Sequence, residues 1–257
     1  MGKQKVSILK AIFRIIRLIF CTIFVIILLR IFCNFVPILN KYIGSVIIPG
    51  LIMSVLICSL FFDKENIYNL GLKFSPESIY MFIYGLIIAL VSVTAVAVYS
   101  FYFNIEGTKL LISSDWFNID NLSLLGFYFL VSFGEELFFR GYIISTLRNA
   151  GLNLLAALIS SFVFMLIHLV NSETTLLTLL GTFMAGILLA IMYMKSNNLW
   201  MCIGFHLAWN YLQDAVILIP TKGTELAYIV VLAFMIIIVF FSFKLSGDLK
   251  YKHPIRN

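Results

Sequence analysis

Six polar side chains lie inside long runs of apolar residues. They are Glu135, Glu136 and Arg140 in one run, His168 in a second, and His206 and Asn210 in a third. A charged side chain at the centre of a membrane helix costs about 2.5–3.5 kcal/mol on insertion scales, so residues of this kind are functional by default. Glutamate and histidine can take a proton from water, and an asparagine amide can donate to an oxyanion, so the set is suited to hydrolysis of a peptide bond.

Helix geometry predicts the direction in which these groups point. Residues four apart share a helix face, so Glu136 and Arg140 are placed to pair, which lowers the cost of burying both. Glu135 is turned by about 100° from Glu136, and its carboxylate is left free for chemistry. The same spacing puts His206 and Asn210 together on one face of their helix.

The elements that position these residues are predicted to be transmembrane helices. The chain has 257 residues, 62% of them hydrophobic and 12% charged, which excludes a soluble domain. About 20 helical residues cross a hydrocarbon core of about 30 Å. Eight suitable apolar runs lie near 18–39, 43–62, 79–103, 122–146, 152–170, 174–194, 199–219 and 226–243. We therefore expect an all-α fold, a polytopic membrane helix bundle of about eight transmembrane helices, in which residues 1–257 form one integral membrane domain.

The distribution of cations predicts how the bundle is oriented. Eight crossings put both termini on one side, and with the N-terminus inside, the inner segments hold 13 Lys and Arg residues against three in the outer segments, while Arg30 and Arg140 lie within predicted spans. The positive-inside rule therefore predicts cytoplasmic termini, with residues 1–17 as a basic cytoplasmic tail. The same rule accounts for the net charge of +6, so no nucleic-acid partner is expected. Frequent Lys, Ile, Asn and Phe indicate the plasma membrane of a low-GC bacterium.

Three motifs in these spans resemble those of a known family of membrane proteases. Residues 134–142, GEELFFRGY, resemble the E-E-x-x-x-R motif of the CAAX protease and bacteriocin-processing family, also called CPBP or Abi. Residues 164–168, FMLIH, resemble its F-x-x-x-H motif, and residues 206–210, HLAWN, resemble its H-x-x-x-N motif. Because all three occur in order and in separate spans, the resemblance is specific. It covers about residues 120–212, which we interpret as the protease core.

The resemblance implies an intramembrane glutamic endopeptidase, similar to the type II CAAX prenyl proteases that remove a terminal tripeptide from prenylated proteins. On this basis, Glu135 with His168 is expected to activate water, while His206 and Asn210 donate to the oxyanion. The predicted ion pair is expected to hold the helix of the base in place. The resemblance also implies a metal-free site and a substrate that is a peptide or a lipidated protein, reached from the cytoplasmic face or laterally from the lipid bilayer.

Other interpretations stay open at this point. Two histidines and a glutamate are a known zinc ligand set, although the chain has no H-E-x-x-H helix, so zinc is the weaker alternative. A non-hydrolytic protein that confers bacteriocin self-immunity or scaffolds a complex is the alternative from another class. A transporter is last, because the sequence shows no repeat of broken helices in two halves. The substrate stays open between a prenylated C-terminus, a pheromone, a bacteriocin precursor and a membrane-protein segment, and so does the oligomeric state.

Overall fold

The computed structural model describes residues 6–36, 46–110, 119–170, 174–220 and 222–245, and in these ranges the chain is almost entirely helical. The α-helices are α1 (Ile8–Phe35), α2 (Ile47–Ile57), α3 (Pro76–Tyr102), α4 (Ile119–Glu136), α5 (Ser145–Asn149), α6 (Asn153–Ile167), α7 (Leu176–Ser196), α8 (Leu199–Tyr211) and α9 (Glu225–Leu245). π-Helical turns follow three of them, at Cys58–Phe62, Leu137–Ile144 and Leu212–Val216, and 3-10 turns lie at Ile67–Leu70 and His168–Val170. Two short strands, β1 (Lys109–Leu110) and β2 (Ile217–Leu218), pair antiparallel.

The predicted class, a polytopic bundle of membrane helices, is confirmed, since each predicted span coincides with a helical segment. Five helices are long and apolar enough to cross a membrane, from 18 to 31 residues each. The segments Ile47–Phe62 and Asn153–Ile167 are apolar but shorter. The chain is therefore an integral membrane protein, and its exact number of complete crossings stays a prediction.

Local sequence fixes the turn that leads into the third motif. Asn197 ends α7 in the left-handed conformation, with φ of 51°, which asparagine tolerates better than most residues. Asn198 then caps α8, because its Oδ1 accepts the Trp200 N–H at 2.9 Å. The two-residue connection makes α7 and α8 antiparallel neighbours, and His206 lies two turns into α8.

Close contact between α3 and α8 puts the third motif in the interior of the bundle. A Cβ atom on Gly85 would lie 2.1 Å from the Met201 carbonyl oxygen, and one on Gly204 would lie 2.3 Å from the Phe82 carbonyl oxygen. Only glycine allows two helix backbones to approach so closely. As a result, α8 is buried from Leu199 through Ala208 with the exception of half-buried Trp200.

The connections gather at two ends of the bundle. At one end, which we call the N-terminal face, the Val6 N–H donates to the Asn149 carbonyl at 3.2 Å and the Leu199 N–H donates to the Gly71 carbonyl at 3.0 Å. At the other end, the opposite face, the β1–β2 pair joins the connection after α3 to the connection after α8. The loops predicted to be inner thus lie at the N-terminal face. Which face is cytoplasmic stays a prediction.

An ionic cluster at the N-terminal face attaches α1 to the first motif. Residues 8–17 of the predicted tail are the first turns of α1. Within them, Arg14 Nε lies 3.0 Å from Asp63 Oδ1, and Arg17 pairs with the same carboxylate. Tyr142, the last residue of the first motif, donates its hydroxyl to Asp63 Oδ2 at 2.6 Å. Two cations predicted to be topogenic are therefore also structural.

Candidate active site

The first motif lies where α4 changes from α-helix to π-helix. Glu135 and Glu136 are the last two residues of α4, and Arg140 lies within the π turn Leu137–Ile144. A π turn releases carbonyls from the α-helical pattern, and the Phe139 carbonyl accepts the Ser160 hydroxyl at 3.1 Å. The spacing of four was predicted for a regular α-helix, and the π turn is a departure that the sequence did not indicate.

The predicted ion pair forms and is completely buried. Arg140 Nη1 donates to Glu136 Oε1 at 3.0 Å, and neither side chain is exposed to solvent. Arg140 Nη2 donates to the Gly186 carbonyl in α7 at 3.2 Å. Its guanidinium carbon also lies 4.6 Å from the centre of the Phe164 ring, within cation–π distance. The pair therefore connects α4, α6 and α7.

His206 lies between the two adjacent carboxylates. Its Nδ1 is 2.9 Å from Glu136 Oε1, so the Nδ1–H donates to this oxygen, while Nε2 is 3.8 Å from Glu135 Oε2. Glu135 Oε2 is buried and accepts no hydrogen bond from the described residues. The two glutamates therefore differ in structure: Glu136 Oε1 is held by two donors, whereas Glu135 accepts from neither of them and lies beside the imidazole. The second oxygen of Glu136, Oε2, is buried without a donor among the described residues, as Glu135 Oε2 is.

His168 lies on the other side of Phe164 from the carboxylates. It begins the 3-10 turn after α6, and its Nδ1 lies 2.8 Å from the Phe164 carbonyl oxygen, so the Nδ1–H donates to it. The Phe164 ring centre is 4.7 Å from the His168 ring and 6.1 Å from the His206 ring. Among the described residues, His206 is the histidine in contact with Glu135. His168 contacts the Phe164 ring, and the same ring contacts His206.

A cavity of about 270 Å³ connects His168 and His206 to the opposite face. His168, His206 and Asn210 line its inner part, and Leu177 and Glu225 line its other end, where α7 and α9 begin. Access was expected from the cytoplasmic face or laterally from the bilayer, together with a cytoplasmic N-terminus. Cytoplasmic access through this cavity and a cytoplasmic N-terminus are not compatible, because the cavity extends away from the N-terminal face. If the N-terminus is cytoplasmic, the cavity reaches the outer side of the membrane.

Glu136, one of the side chains that could bind a metal ion, is already bound by other side chains. Glu136 accepts from both Arg140 and His206, so its Oε1 is already occupied by two donors. Within the ranges that the structure describes, no group of three His, Cys, Asp or Glu side chains is gathered for a metal ion. The zinc alternative therefore has no preassembled ligand set in this part of the chain.

Sequence reasoning missed several polar residues of the cavity, namely Gln213, Glu225 and Tyr228. Gln213 follows His206 by seven residues, which is two helical turns, so periodicity could have placed it on the same face. Glu225 and Tyr228 belong to α9, and only tertiary packing brings this helix against the third motif. Thr178 and Thr182 of α7 line the cavity for the same reason.

The comparison with known families agrees with the motifs. Residues 117–212 match the family model described as "Type II CAAX prenyl endopeptidase Rce1-like", and no curated protein matches the chain. The matched segment contains all three motifs and the π turn Leu137–Ile144 that carries Arg140 of the first motif. The match supports a CAAX-type membrane endopeptidase in general. Residues 117–212 are therefore similar to the CAAX protease family, in agreement with the resemblance of the three motifs.

Proposed function

We propose that this protein is an intramembrane endopeptidase that uses Glu135 as its general base. The observation that carries the proposal is the unequal treatment of two adjacent glutamates. Glu136 is bound by Arg140 and His206, whereas Glu135 Oε2 has no donor among the described residues and lies 3.8 Å from His206 Nε2. A base must have an oxygen to offer to water. Glu136 Oε2 is also buried without a donor among the described residues, but the Glu136 carboxylate is neutralised by the Arg140 guanidinium, whereas the Glu135 carboxylate has no such partner among them.

In the proposed reaction, Glu135 takes a proton from a water molecule as the water oxygen attacks the peptide carbonyl carbon. The C–N bond then breaks, and the proton passes from Glu135 to the leaving amine, so protons balance over one turnover. His168 lines the same cavity, and its Nδ1–H is used by the Phe164 carbonyl. In the neutral ring this leaves Nε2 as an acceptor, which supports the expected role of His168 in helping to orient or deprotonate the water.

The oxyanion that forms in the reaction needs donors on the other side of the carbonyl. Asn210 lies one helical turn after His206, and both line the cavity. The Asn210 amide carries two N–H donors, and the His206 ring directs Nδ1 to Glu136 and Nε2 towards Glu135 and the cavity. We assign these two residues to stabilisation of the oxyanion, which is worth about 10²–10³ in kcat per donor. Because the Nδ1–H of His206 is used by Glu136, donation from Nε2 requires the imidazolium form of the ring, which carries an N–H on both nitrogens.

Glu136 and Arg140 are positioning residues in this proposal. Their ion pair fixes the carboxylate that orients the His206 ring, much as a buried carboxylate orients an imidazole in other hydrolases. Arg140 in turn is fixed by the Gly186 carbonyl. The pair does not touch the water, so it acts through His206.

The proposed substrate is a peptide or lipidated protein drawn from the bilayer, and the proposed hydrolysis needs no metal ion. The test is cleavage of a mixed peptide library, prenylated and unprenylated, by the purified full-length protein in detergent, with and without a chelator. The variants are Glu135→Gln, which keeps the shape and removes the base, and Glu106→Gln, a matched control on an exposed loop at the opposite face.

We expect cleavage to persist with the chelator and in the control, and to fall by about 10²–10⁴ in Glu135→Gln. Undiminished cleavage in Glu135→Gln would remove this residue from the chemistry. Loss on chelation that is restored by zinc would replace the glutamate mechanism by a metal-dependent one. Absence of cleavage by the wild-type protein across the library would favour the non-hydrolytic immunity or scaffold role.

A further inference from the structure

The described lining of the cavity has one carboxylate, two histidines and no Lys or Arg. Glu225, at the first residue of α9, is the carboxylate at its outer end, and among the described residues that line the cavity none is Lys or Arg. Two other polar residues line the cavity near the helix starts: Tyr228, three residues after Glu225 in α9, and Thr178, near the beginning of α7. A charged group in a cavity walled mainly by apolar side chains interacts more strongly with a ligand than one in bulk water.

The described bonds of Glu225 leave most of its acceptor capacity unused. Its Oε2 accepts the Gly223 N–H at 2.7 Å, and an ionised carboxylate can accept about four hydrogen bonds. The neighbouring polar side chains are satisfied by one another or by the backbone. The Tyr228 hydroxyl donates to Gln213 Oε1, and Gln213 Nε2 donates to the Trp209 carbonyl at 3.0 Å. Glu225 is therefore the carboxylate that an entering peptide meets in the described cavity lining, and exposed Lys222 lies three residues before it.

This charge favours one kind of substrate over another. A C-terminal carboxylate, which a CAAX substrate carries three residues beyond the bond that is cut, would meet a like charge at Glu225, in a cavity whose described lining has no Lys or Arg. A cationic nitrogen would meet an opposite charge and form a charge-assisted hydrogen bond. The cavity is thus better matched to an internal peptide bond beside a cationic group than to a free C-terminus.

We propose that Glu225 is a specificity-determining residue that binds a cationic nitrogen of the substrate peptide. This proposal rests on the function proposed above. The nitrogen is a Lys or Arg side chain or the peptide's own amino terminus. The peptide enters from the opposite face, and the inner part of the cavity brings an internal peptide bond to Asn210 and His206, whose Nε2 lies 3.8 Å from Glu135 Oε2.

The test measures binding rather than cleavage, so that it stands apart from the test of catalysis. Full-length protein carrying Glu135→Gln is immobilised in detergent and offered two randomised peptide pools. One pool has lysine at a fixed central position, and the other has norleucine, which matches its length without the charge. Each pool is prepared with a free and with an acetylated amino terminus. The bound peptides are quantified by mass spectrometry.

We expect about tenfold enrichment of the lysine pool over the norleucine pool, which corresponds to about 1.4 kcal/mol. Glu225→Gln should bring the ratio close to one, and because glutamine keeps an oxygen for the Gly223 N–H, the helix start is preserved. Glu106→Gln, an exposed acid at the same face, should leave the ratio unchanged. Enrichment that depends on the free amino terminus instead of lysine would identify that group as the ligand.

Equal recovery of all pools by the protein with Glu225 intact would overturn the proposal, and so would equal effects of Glu225→Gln and Glu106→Gln. A Glu225→Lys variant reverses the charge at this position. It should therefore bind peptides with a free C-terminal carboxylate in preference to the same peptides with an amidated C-terminus. If binding shows the lysine preference but no Glu135-dependent cleavage is found, the catalytic proposal fails while the binding assignment stands.

Discussion

Replacement by glutamine should lower the stability of the protein at Glu136 but not at Glu135, although both variants should lose activity. Glu136→Gln removes the carboxylate that pairs with Arg140 at 3.0 Å and with His206 at 2.9 Å, in a place where the Glu136 and Arg140 side chains have no solvent exposure. Breaking a buried ion pair by removing one partner costs about 3–5 kcal/mol, because the remaining charge is left unpaired. Glu135→Gln removes a carboxylate whose Oε2 has no described donor, so its effect on unfolding should be less than about 1 kcal/mol.

The measurement is the free energy of unfolding of the full-length protein, obtained from denaturant titration in mixed micelles, together with kcat and KM on any peptide that the wild type cleaves. Glu136→Gln should lose stability by about 3–5 kcal/mol and lose activity as a consequence. Glu135→Gln should lose activity with near wild-type stability. A double variant, Glu136→Met with Arg140→Met, serves as control, since replacing both charges by apolar groups should recover much of the lost stability without restoring activity.

The reasoning is refuted if Glu136→Gln unfolds like the wild type while Glu135→Gln is strongly destabilised, because the structural and chemical roles would then be exchanged. It is also refuted if the double variant is no more stable than Glu136→Gln. In that case the cost would arise from lost packing or hydrogen bonds and not from an unpaired buried charge.

Three further predictions concern the rest of the site. Gly204→Ala should destabilise the bundle by about 1–3 kcal/mol or prevent folding, because the new Cβ would lie 2.3 Å from the Phe82 carbonyl oxygen, and Gly126→Ala, with open space around it, should be neutral in the same unfolding titration. Asn210→Ala should lower kcat by about 10²–10³ with little change in KM, and an effect on KM alone would remove it from the oxyanion assignment. Thr178→Cys, in a protein whose four native cysteines are replaced, should react with a membrane-impermeant maleimide from the side opposite an N-terminal tag, whereas reaction from the tagged side would contradict the direction of the cavity.

The general architecture was predictable because it depends on local properties of the chain. Each of the eight apolar runs became a helical segment, since backbone groups in lipid must be bonded within the helix. Helix ends were less predictable. The first helix starts at Ile8, ten residues before the predicted span, because Arg14 and Arg17 find partners at Asp63 and need not stay in water. That compensation lies 46 or more residues away in sequence and leaves no local signal.

The candidate site was predictable as a set of residues and not as an arrangement. The ion pair of Glu136 and Arg140 followed from a spacing of four and is present, although a π turn replaces the regular helix between them. Glu135 and His168 were expected to activate the water together. The structure puts His206 beside Glu135, and the roles of the two histidines stay a proposal for the variants above to test.

The sequence by itself determined that this protein lies in a membrane as a helix bundle and which few side chains could do chemistry there. The reason is that hydropathy and the cost of an intramembrane charge are properties of single segments. Tertiary structure alone decided which histidine meets which carboxylate, and that a cavity ending at Glu225 leads away from the N-terminal face. These depend on how closely α3 and α8 approach at Gly85 and Gly204, and on where α9 packs, which only the complete set of helix contacts can fix.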